Sequence, residues 1–143
     1  MFEAVGEKYW PIYFNSLKNL MKNGAKSTLQ IITISDELFP EYRKRVDFIQ
    51  KYIFPGGMLP SKKALEKQFF QVGLKNVNLK SFGSSYSKTL RLWYSSFNSV
   101  WDDIASVKFD DRFKRMWNFY LASCAAVFHS NTGDVIQVTL KKS

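Results

Sequence analysis

The sequence has little of what builds cross-links, metal sites or membrane spans. A single cysteine excludes a disulfide framework and a cysteine-based zinc site, and a single histidine argues against a histidine-based metal site. Seven glycines and four prolines exclude collagen-like and low-complexity chains. No apolar run approaches the ~20 residues of a membrane span, and the N-terminus does not resemble a signal peptide. We therefore expect a cytoplasmic protein without a metal.

Aromatic side chains and positive charge are abundant instead. The 143 residues are 45% hydrophobic and 17% aromatic, enough for the core of one ordinary domain. The net charge of +9 favours a polyanionic partner, either nucleic acid or an anionic membrane, with simple solubility as the alternative. Nucleic-acid stacking platforms carry aromatics on exposed strands, whereas the aromatics here have helical spacing. A nucleic-acid-binding module is therefore the less favoured alternative, and we expect no nucleic acid partner.

The spacing of apolar residues predicts the order helix, strand, helix, helix, strand, helix, helix, strand, which is an α/β pattern. Residues 29–34 (LQIITI) predict a buried strand of a parallel sheet. Residues 36–53 predict one helical stretch, and Ser61 caps a helix that Gly73 ends. Strands follow at 76–82 and 135–140. The apolar face predicted for the first helix consists of Tyr9, Ile12, Tyr13, Leu17 and Leu20.

Two long helical stripes lie between the last two strands. One runs from Leu90 to Ile104 and the other from Phe109 to Phe128. We expect Cys124 to pack in the core and His129 to end a helix. Trp93, Trp101 and Trp117 are also expected in the core. Three strands are few for so many helices, so the chain is predicted to be one partial domain over residues 1–143.

Residues 53–60 (IFPGGMLP) form an unusual apolar loop. Pro55 and Pro60 forbid a continuous helix, and Gly56-Gly57 favours a turn. Such a loop either packs on the protein or meets an apolar ligand. The sequence has no G-x-G-x-x-G, P-loop or G-x-S-x-G motif, so it has no self-contained nucleotide site or nucleophile elbow.

Four segments together resemble the C-terminal part of the cyclopropane-fatty-acyl-phospholipid synthases, which are S-adenosylmethionine-dependent methyltransferases. The resemblance implies the C-terminal half of a class I, Rossmann-like methyltransferase fold, with about three strands and flanking helices and without the cofactor-binding half. The matching segments are FEAVG at 2–6, YIFPGGMLPS at 52–61, Phe82-Gly83 with Tyr86, Thr89-Leu90 and Trp93, and FKRMW at 113–117 with Tyr120-Leu121 and Cys124.

The resemblance also implies a chemistry. A methyl group passes from S-adenosylmethionine to a double bond of an unsaturated phospholipid acyl chain, and a bicarbonate ion takes the proton that the resulting cation loses. The bicarbonate ligands would be Glu3, Tyr86 and a backbone group of Ile32. Gln30 stands where well-known members carry histidine, which leaves the product open between a cyclopropane and a methyl or methylene branch. The alternatives are a solvated terminal residue for Glu3 and a helix aromatic for Tyr86.

The same resemblance assigns the apolar loop to the substrate. Phe54 and Met58 would admit the lipid tail and reach among the headgroups. Flanking cations would hold an anionic membrane surface, which places the protein at the inner membrane face; the alternative is that they are ordinary solvated residues. These cations are Arg43, Lys44, Arg45, Lys62 and Lys63.

The S-adenosylmethionine site lies mostly in the family's preceding half. The sequence leaves open a fragment, one piece of an enzyme whose first half is a separate chain, and a non-catalytic remnant of the fold. It also leaves open self-association into a homo-oligomer.

Overall fold

The computed structural model describes residues 2–105 and 109–142. They form two compact units, which we call the sheet unit (2–81 with 133–142) and the helical unit (82–105 with 109–132). The single partial domain expected over residues 1–143 stays a prediction. No helix among the described residues is long and apolar enough to cross a membrane.

The sheet unit contains a three-stranded sheet with helices before and after its first strand. Two single-turn 3₁₀ helices, at Phe2–Ala4 and Glu7–Tyr9, open it. The elements that follow are α1 (Trp10–Leu20), β1 (Lys26–Ile34), α2 (Phe39–Tyr42), α3 (Phe48–Tyr52), α4 (Lys62–Val72), β2 (Leu74–Ser81) and, after the helical unit, β3 (Gly133–Lys142).

The strand order is β1-β3-β2, and β3 is antiparallel to both neighbours. The expectation that 29–34 lies in a parallel sheet is therefore wrong for the pairing of β1 with β3. The reason is long-range, because the last strand of the chain inserts between two strands that both run opposite to it. β1 and β2 consequently run in the same direction, as strands joined through a helix do.

One face of the sheet carries an aromatic core. Phe14 of α1 is fully buried and meets Phe69 of α4 edge to face, with ring centroids 5.1 Å apart. The predicted face of α1 is only partly right, because Trp10 and Phe14 are its buried residues while Ile12 and Leu20 are exposed. A stripe with Ile12 and Leu20 and a stripe with Trp10 and Phe14 both fit helical spacing, because both include Tyr13 and Leu17. The sequence does not distinguish these two stripes.

The helical stretch predicted for 36–53 is wrong, because it consists of the two short helices α2 and α3. Asp47 starts α3 through a capping box in which its carboxylate accepts the Gln50 N–H while the Gln50 side chain accepts the Asp47 N–H. A helix start at Asp47 interrupts the stretch, and Val46 beside it is exposed. The cap of α4 at Ser61 and its left-handed end at Gly73 are confirmed.

The helical unit contains α5 (Gly83–Ser99), α6 (Trp101–Ile104) and α7 (Asp111–His129). The Ser87 hydroxyl donates to the Ala125 carbonyl at 2.9 Å, which ties α5 to α7. His129 ends α7 as predicted, and Trp101 is buried. Trp93 is 54% exposed, so its core assignment is wrong. Trp117 and Cys124 are half-buried.

Candidate functional site

Glu3 is fixed by the buried residue before it. The Phe2 side chain is 2% exposed and packs against the rings of Trp10, Tyr13 and Phe14, with centroids 5.1 to 5.5 Å away. The short 3₁₀ helix then leaves Glu3 half-buried. The first turn of the chain is thus anchored by its aromatic ring, and the carboxylate beside it is held at the sheet.

The Glu3 carboxylate lies at the carboxyl end of β1. Its Oε1 accepts the backbone N–H of Ile32 at 2.8 Å, and its backbone carbonyl accepts the N–H of Met58 at 2.7 Å. Two residues further along β1, the Ile34 N–H donates to the Pro60 carbonyl at 3.0 Å. Two N–H groups of β1 outside its pairing with β3 are therefore satisfied by Glu3 and by the apolar loop.

The loop over residues 53–60 is irregular, as predicted, and is held in place by Gln50 and by close backbone packing. The Gln50 side-chain amide donates to the Gly57 carbonyl at 2.8 Å. A Cβ added at Gly57 would lie 3.0 Å from the Phe54 carbonyl oxygen and 3.8 Å from that of Glu3. A side chain at Gly57 would therefore be tight against the Phe54 carbonyl, and the Glu3 carbonyl is within contact distance, which places the loop beside Glu3.

The two substrate-loop residues differ in exposure. Phe54 is 58% exposed. Met58 is 9% exposed and packs in the core, so the expectation that it reaches among headgroups is wrong. Its backbone N–H donates to the Glu3 carbonyl, so the buried Met58 lies beside the site.

Gln30 and Tyr86 lie on two different elements, β1 and α5. Gln30 is two residues before Ile32 on β1, on the same face, and its Oε1 accepts from Gln137 of β3 at 3.1 Å. Tyr86 belongs to the helical unit, where its ring packs against Phe128 with centroids 5.6 Å apart. The structure thus brings Glu3 and Ile32 into contact and puts Gln30 on the same strand. The roles of all four stay predictions.

Tyr13 is a neighbour of the site that sequence reasoning treated only as core. Burial raises the pKa of its phenol, and the negative charge of Glu3 raises it further. The phenol is thus close enough to Glu3 to sense its charge. In the sequence, only the phenol hydroxyl of Tyr13 on the apolar face of α1 could have indicated that this residue lies near the site.

Three of the five predicted membrane-docking cations are already paired. Arg43 binds Glu7, Lys44 binds Glu41, and Lys62 binds Asp134 at 2.7 Å. Arg45 and Lys63 are exposed, and neither forms an ion pair with another described residue.

The helical unit contains a separate groove of about 460 Å³ between α5 and α7. Leu90, Tyr94 and Leu121 are among its apolar lining residues, and Arg91 and His129 add polar groups. Ala122, Ala125 and Ala126 line its α7 side. None of the predicted site residues lines it.

The Glu3–Ile32 contact fits a bicarbonate ion in chemical terms. A bicarbonate hydroxyl can donate to the Glu3 carboxylate. The Ile32 N–H already donates to Glu3 Oε1, so a bicarbonate oxygen would have to share that proton with the carboxylate. The fit is partial in the sheet unit, which supplies two of the four implied partners side by side. For S-adenosylmethionine, the sequence contains no glycine-rich strand-to-helix turn of the kind that allows a nucleotide cofactor close to the backbone.

The fold is that of the C-terminal half of an S-adenosylmethionine-dependent methyltransferase domain. The chain superposes with a TM-score of 0.87 on the cyclopropane synthase MmaA2 of Mycobacterium tuberculosis, with 23% identity, over 99% of this chain and 52% of that one. The mycolic acid cyclopropane synthase CmaA1, complexed with SAH and CTAB, gives a TM-score of 0.84 and 25% identity over 99% and 52%.

The chain belongs to the mycolic acid cyclopropane synthetase family, whose model matches residues 1–138. It is 43% identical to the tuberculostearic acid methyltransferase UfaA1 of Mycobacterium tuberculosis over 98% of this chain and 33% of that protein. It is 34% identical to the cyclopropane-fatty-acyl-phospholipid synthase of Escherichia coli K12, over 99% and 36%. The chain thus spans about a third of the length of these relatives.

Proposed function

We propose that this chain is the C-terminal portion of an S-adenosylmethionine-dependent methyltransferase that modifies the double bond of an unsaturated acyl chain. The observation that carries the proposal is the bond between the Glu3 carboxylate and the Ile32 N–H, in a chain of this family. That bond fixes an anion at the carboxyl end of a strand, where α/β enzymes bind their ligands.

The chemistry requires an anion that does not trap a cation. S-adenosylmethionine, when bound, would supply an electrophilic methyl group. The electron pair of the double bond would form the new carbon–carbon bond as the methyl–sulfur bond breaks and S-adenosylhomocysteine leaves, and a carbocation would remain on the neighbouring carbon. Loss of one proton then closes the ring or forms a branch. Glu3 stabilises the positive charge electrostatically. Glu3 would hold the bicarbonate that takes the proton. The Ile32 N–H and Gln30 are its proposed partners on β1, and the family resemblance adds Tyr86.

The substrate class is an acyl lipid, and we propose an unsaturated phospholipid at the inner face of an anionic membrane. The exposed ring of Phe54 next to the site supports an apolar ligand. The related CmaA1 structure is a complex with the amphiphile CTAB. Of the docking cations, Arg45 and Lys63 are the two that no carboxylate of the described residues neutralises.

The cofactor site is proposed to lie mostly in the portion that precedes the matched region in the relatives. That portion would be supplied by the same polypeptide or by a separate chain. On its own, residues 1–143 should bind S-adenosylmethionine weakly, because close approach to the cofactor requires a glycine-rich turn.

The test is lipid analysis in a bacterial host without cyclopropane synthase activity. The host would produce the chain alone, or the chain joined to the preceding portion of the E. coli relative, and mass spectrometry would follow unsaturated acyl chains. We expect the fusion to convert acyl chains to products heavier by one methylene group, and Glu3→Ala to abolish the conversion. Glu37→Ala, at an exposed carboxylate, is the matched control.

Two outcomes contradict the proposal. A folded fusion that binds S-adenosylmethionine but leaves acyl chains unchanged would favour the non-catalytic remnant. Full conversion by Glu3→Ala would remove Glu3 from the site. A one-carbon bridge between the two former double-bond carbons of the product would indicate a ring, and a substituent on only one of them would indicate a branch.

A further inference from the structure

Three lysines stand side by side across the sheet at the end opposite the candidate site. In the strand register, Lys26 of β1 is directly opposite Lys141 of β3, and Lys75 of β2 is opposite Lys141 on its other side. All three are exposed. Like charges directly opposite each other destabilise a sheet, so folding alone does not account for this row.

Three more lysines join the row from neighbouring elements. The Lys18 ammonium lies 3.3 Å from where a Cβ at Gly73 would be, two residues before Lys75. Lys142 donates to the Met21 carbonyl at 2.9 Å, just after α1, and Lys22 lies in the turn that follows. We call these six lysines the basic end. They are Lys18, Lys22, Lys26, Lys75, Lys141 and Lys142, and none forms an ion pair with a carboxylate of the described residues.

Two apolar side chains protrude at the basic end. Leu20, the last residue of α1, is 87% exposed, and Phe70, in the last turn of α4, is 86% exposed. Lys18 and Gly73 link these two helix ends. Exposed apolar residues surrounded by charges have the composition of an interface, with apolar anchors and a polar rim.

The position of the basic end bears on the occupant. Lys26 and Ile32 are six residues apart on one strand, or about 20 Å at ~3.3 Å per residue. If the loop end meets a lipid, as the proposed function requires, the basic end points away from that bilayer. Nucleic acid is disfavoured because the exposed strand positions Thr28, Gln30 and Gln137 offer no aromatic ring for stacking.

We propose that the basic end docks an acidic protein segment that carries apolar side chains, such as an amphipathic helix with a carboxylate-rich face. The lysines attract the carboxylates electrostatically and raise the association rate. Leu20 and Phe70 supply the apolar contact. The orientation argument rests on the proposed function, whereas the binding itself requires no activity.

The test uses this chain and four probes of defined chemistry, with affinities measured at low and moderate salt. The probes are an amphipathic peptide of glutamate and leucine, a polyglutamate peptide of equal charge, vesicles containing phosphatidylglycerol, and a single-stranded DNA oligonucleotide. We expect the amphipathic peptide to bind most tightly. The triple change Lys26→Gln, Lys75→Gln and Lys141→Gln should weaken it about tenfold and flatten its salt dependence.

A second variant tests the apolar part. Leu20→Ser with Phe70→Ser should weaken the amphipathic peptide about tenfold and leave polyglutamate unchanged. Control variants with the same changes elsewhere are Lys8→Gln, Lys51→Gln and Lys88→Gln for charge, and Ile12→Ser with Val46→Ser for exposed apolar area. These controls should leave peptide binding unchanged.

Each remaining outcome overturns the proposal. Absence of binding to the amphipathic peptide at low salt would do so, as would binding that the basic-end variants leave unchanged. Vesicles or oligonucleotide bound through the same lysines, in preference to the peptide, would replace the protein partner with a membrane or nucleic acid. Failure of the lipid assay above would leave these binding results intact and would remove only the argument from orientation.

Discussion

The two ends of the three-stranded sheet differ in how their charges are satisfied. At the carboxyl end of β1, the Glu3 carboxylate accepts a backbone N–H, and Glu7 and Asp134 bind Arg43 and Lys62. At the basic end, lysines lie opposite lysines on neighbouring strands. None of these lysines forms an ion pair with a carboxylate of the described residues.

This difference indicates different roles for the two ends. A carboxylate held by a backbone N–H and backed by the core keeps its position, as chemistry at a site requires. Unpaired like charges cost stability and leave their hydrogen-bonding capacity to solvent or a partner. The paired end is therefore suited to positioning a reacting group, and the unpaired end to electrostatic recruitment.

The largest expected effect comes from removing the core beneath the paired end. Phe14→Ala deletes a fully buried ring that contacts Phe2 and Phe69, and should lower the free energy of unfolding by about 3–5 kcal/mol. Leu20→Ala on the same helix is the matched control at the basic end and should change it by less than about 0.5 kcal/mol. Urea unfolding measures both, and equal losses would contradict the inner stripe assigned to α1.

A smaller effect is expected from removing the Glu3 carboxylate. Glu3→Ala leaves the Ile32 N–H without its charged acceptor and should cost about 1–3 kcal/mol. Amide hydrogen exchange at Ile32 should accelerate by more than at Ile31, because successive N–H groups of a strand point to opposite sides and only that of Ile32 bonds Glu3. Glu37→Ala serves as control, and an Ile32 amide that remains equally protected would show that Glu3 does not hold this strand edge.

Local features at both ends of the sheet could be predicted from the sequence. The cap at Ser61, the end of α4 at Gly73 and the irregular loop after Ile53 depend on residues a few positions apart, whose turn and capping chemistry the sequence states directly. The family resemblance assigned Glu3 and Ile32, which lie 29 residues apart, to one bicarbonate site, and the bond between them is a finding of the structure.

Features that depend on distant pairing could not be predicted. The insertion of β3 between β1 and β2 brings Lys26, Lys75 and Lys141 together from three parts of the chain. The ion pairs of Arg43 and Lys62 likewise join distant residues, so the docking cations look free in the sequence. Met58 packs in the core although it belongs to an irregular loop, where no periodic pattern indicates which side chains are buried.

The row of lysines predicts a stabilising substitution at the basic end. Lys141→Glu places a carboxylate between Lys26 and Lys75 and should raise the free energy of unfolding by about 0.5–1 kcal/mol at low salt. The gain should shrink near 1 M salt, where screening acts over about 3 Å. Lys88→Glu in the helical unit is the charge-matched control. A destabilised Lys141→Glu would show that the lysine row is already neutralised.

The smallest expected effect is a pH dependence at the paired end. Burial and the charge of Glu3 raise the pKa of the Tyr13 phenol above 10.0 in the folded chain. The unfolded chain therefore releases this proton first as the pH rises. The contribution of Tyr13 to stability is then fully present below pH 10 and is lost as the pH rises from there through the folded-state pKa.

Tyr13→Phe keeps the ring beside Phe2 and removes only the proton that titrates. Its free energy of unfolding should fall less steeply than that of the parent chain above pH 10, while Tyr42 and Tyr120, whose pKa values burial also raises, contribute equally to both. Glu3→Gln should produce a smaller change in the same direction, because it removes the second cause of the shift and leaves the first. Urea unfolding near pH 8 and above pH 10 separates the variants. Parallel pH profiles for the parent and Tyr13→Phe would mean that the phenol titrates as it does in the unfolded chain, and would detach Tyr13 from the Glu3 site.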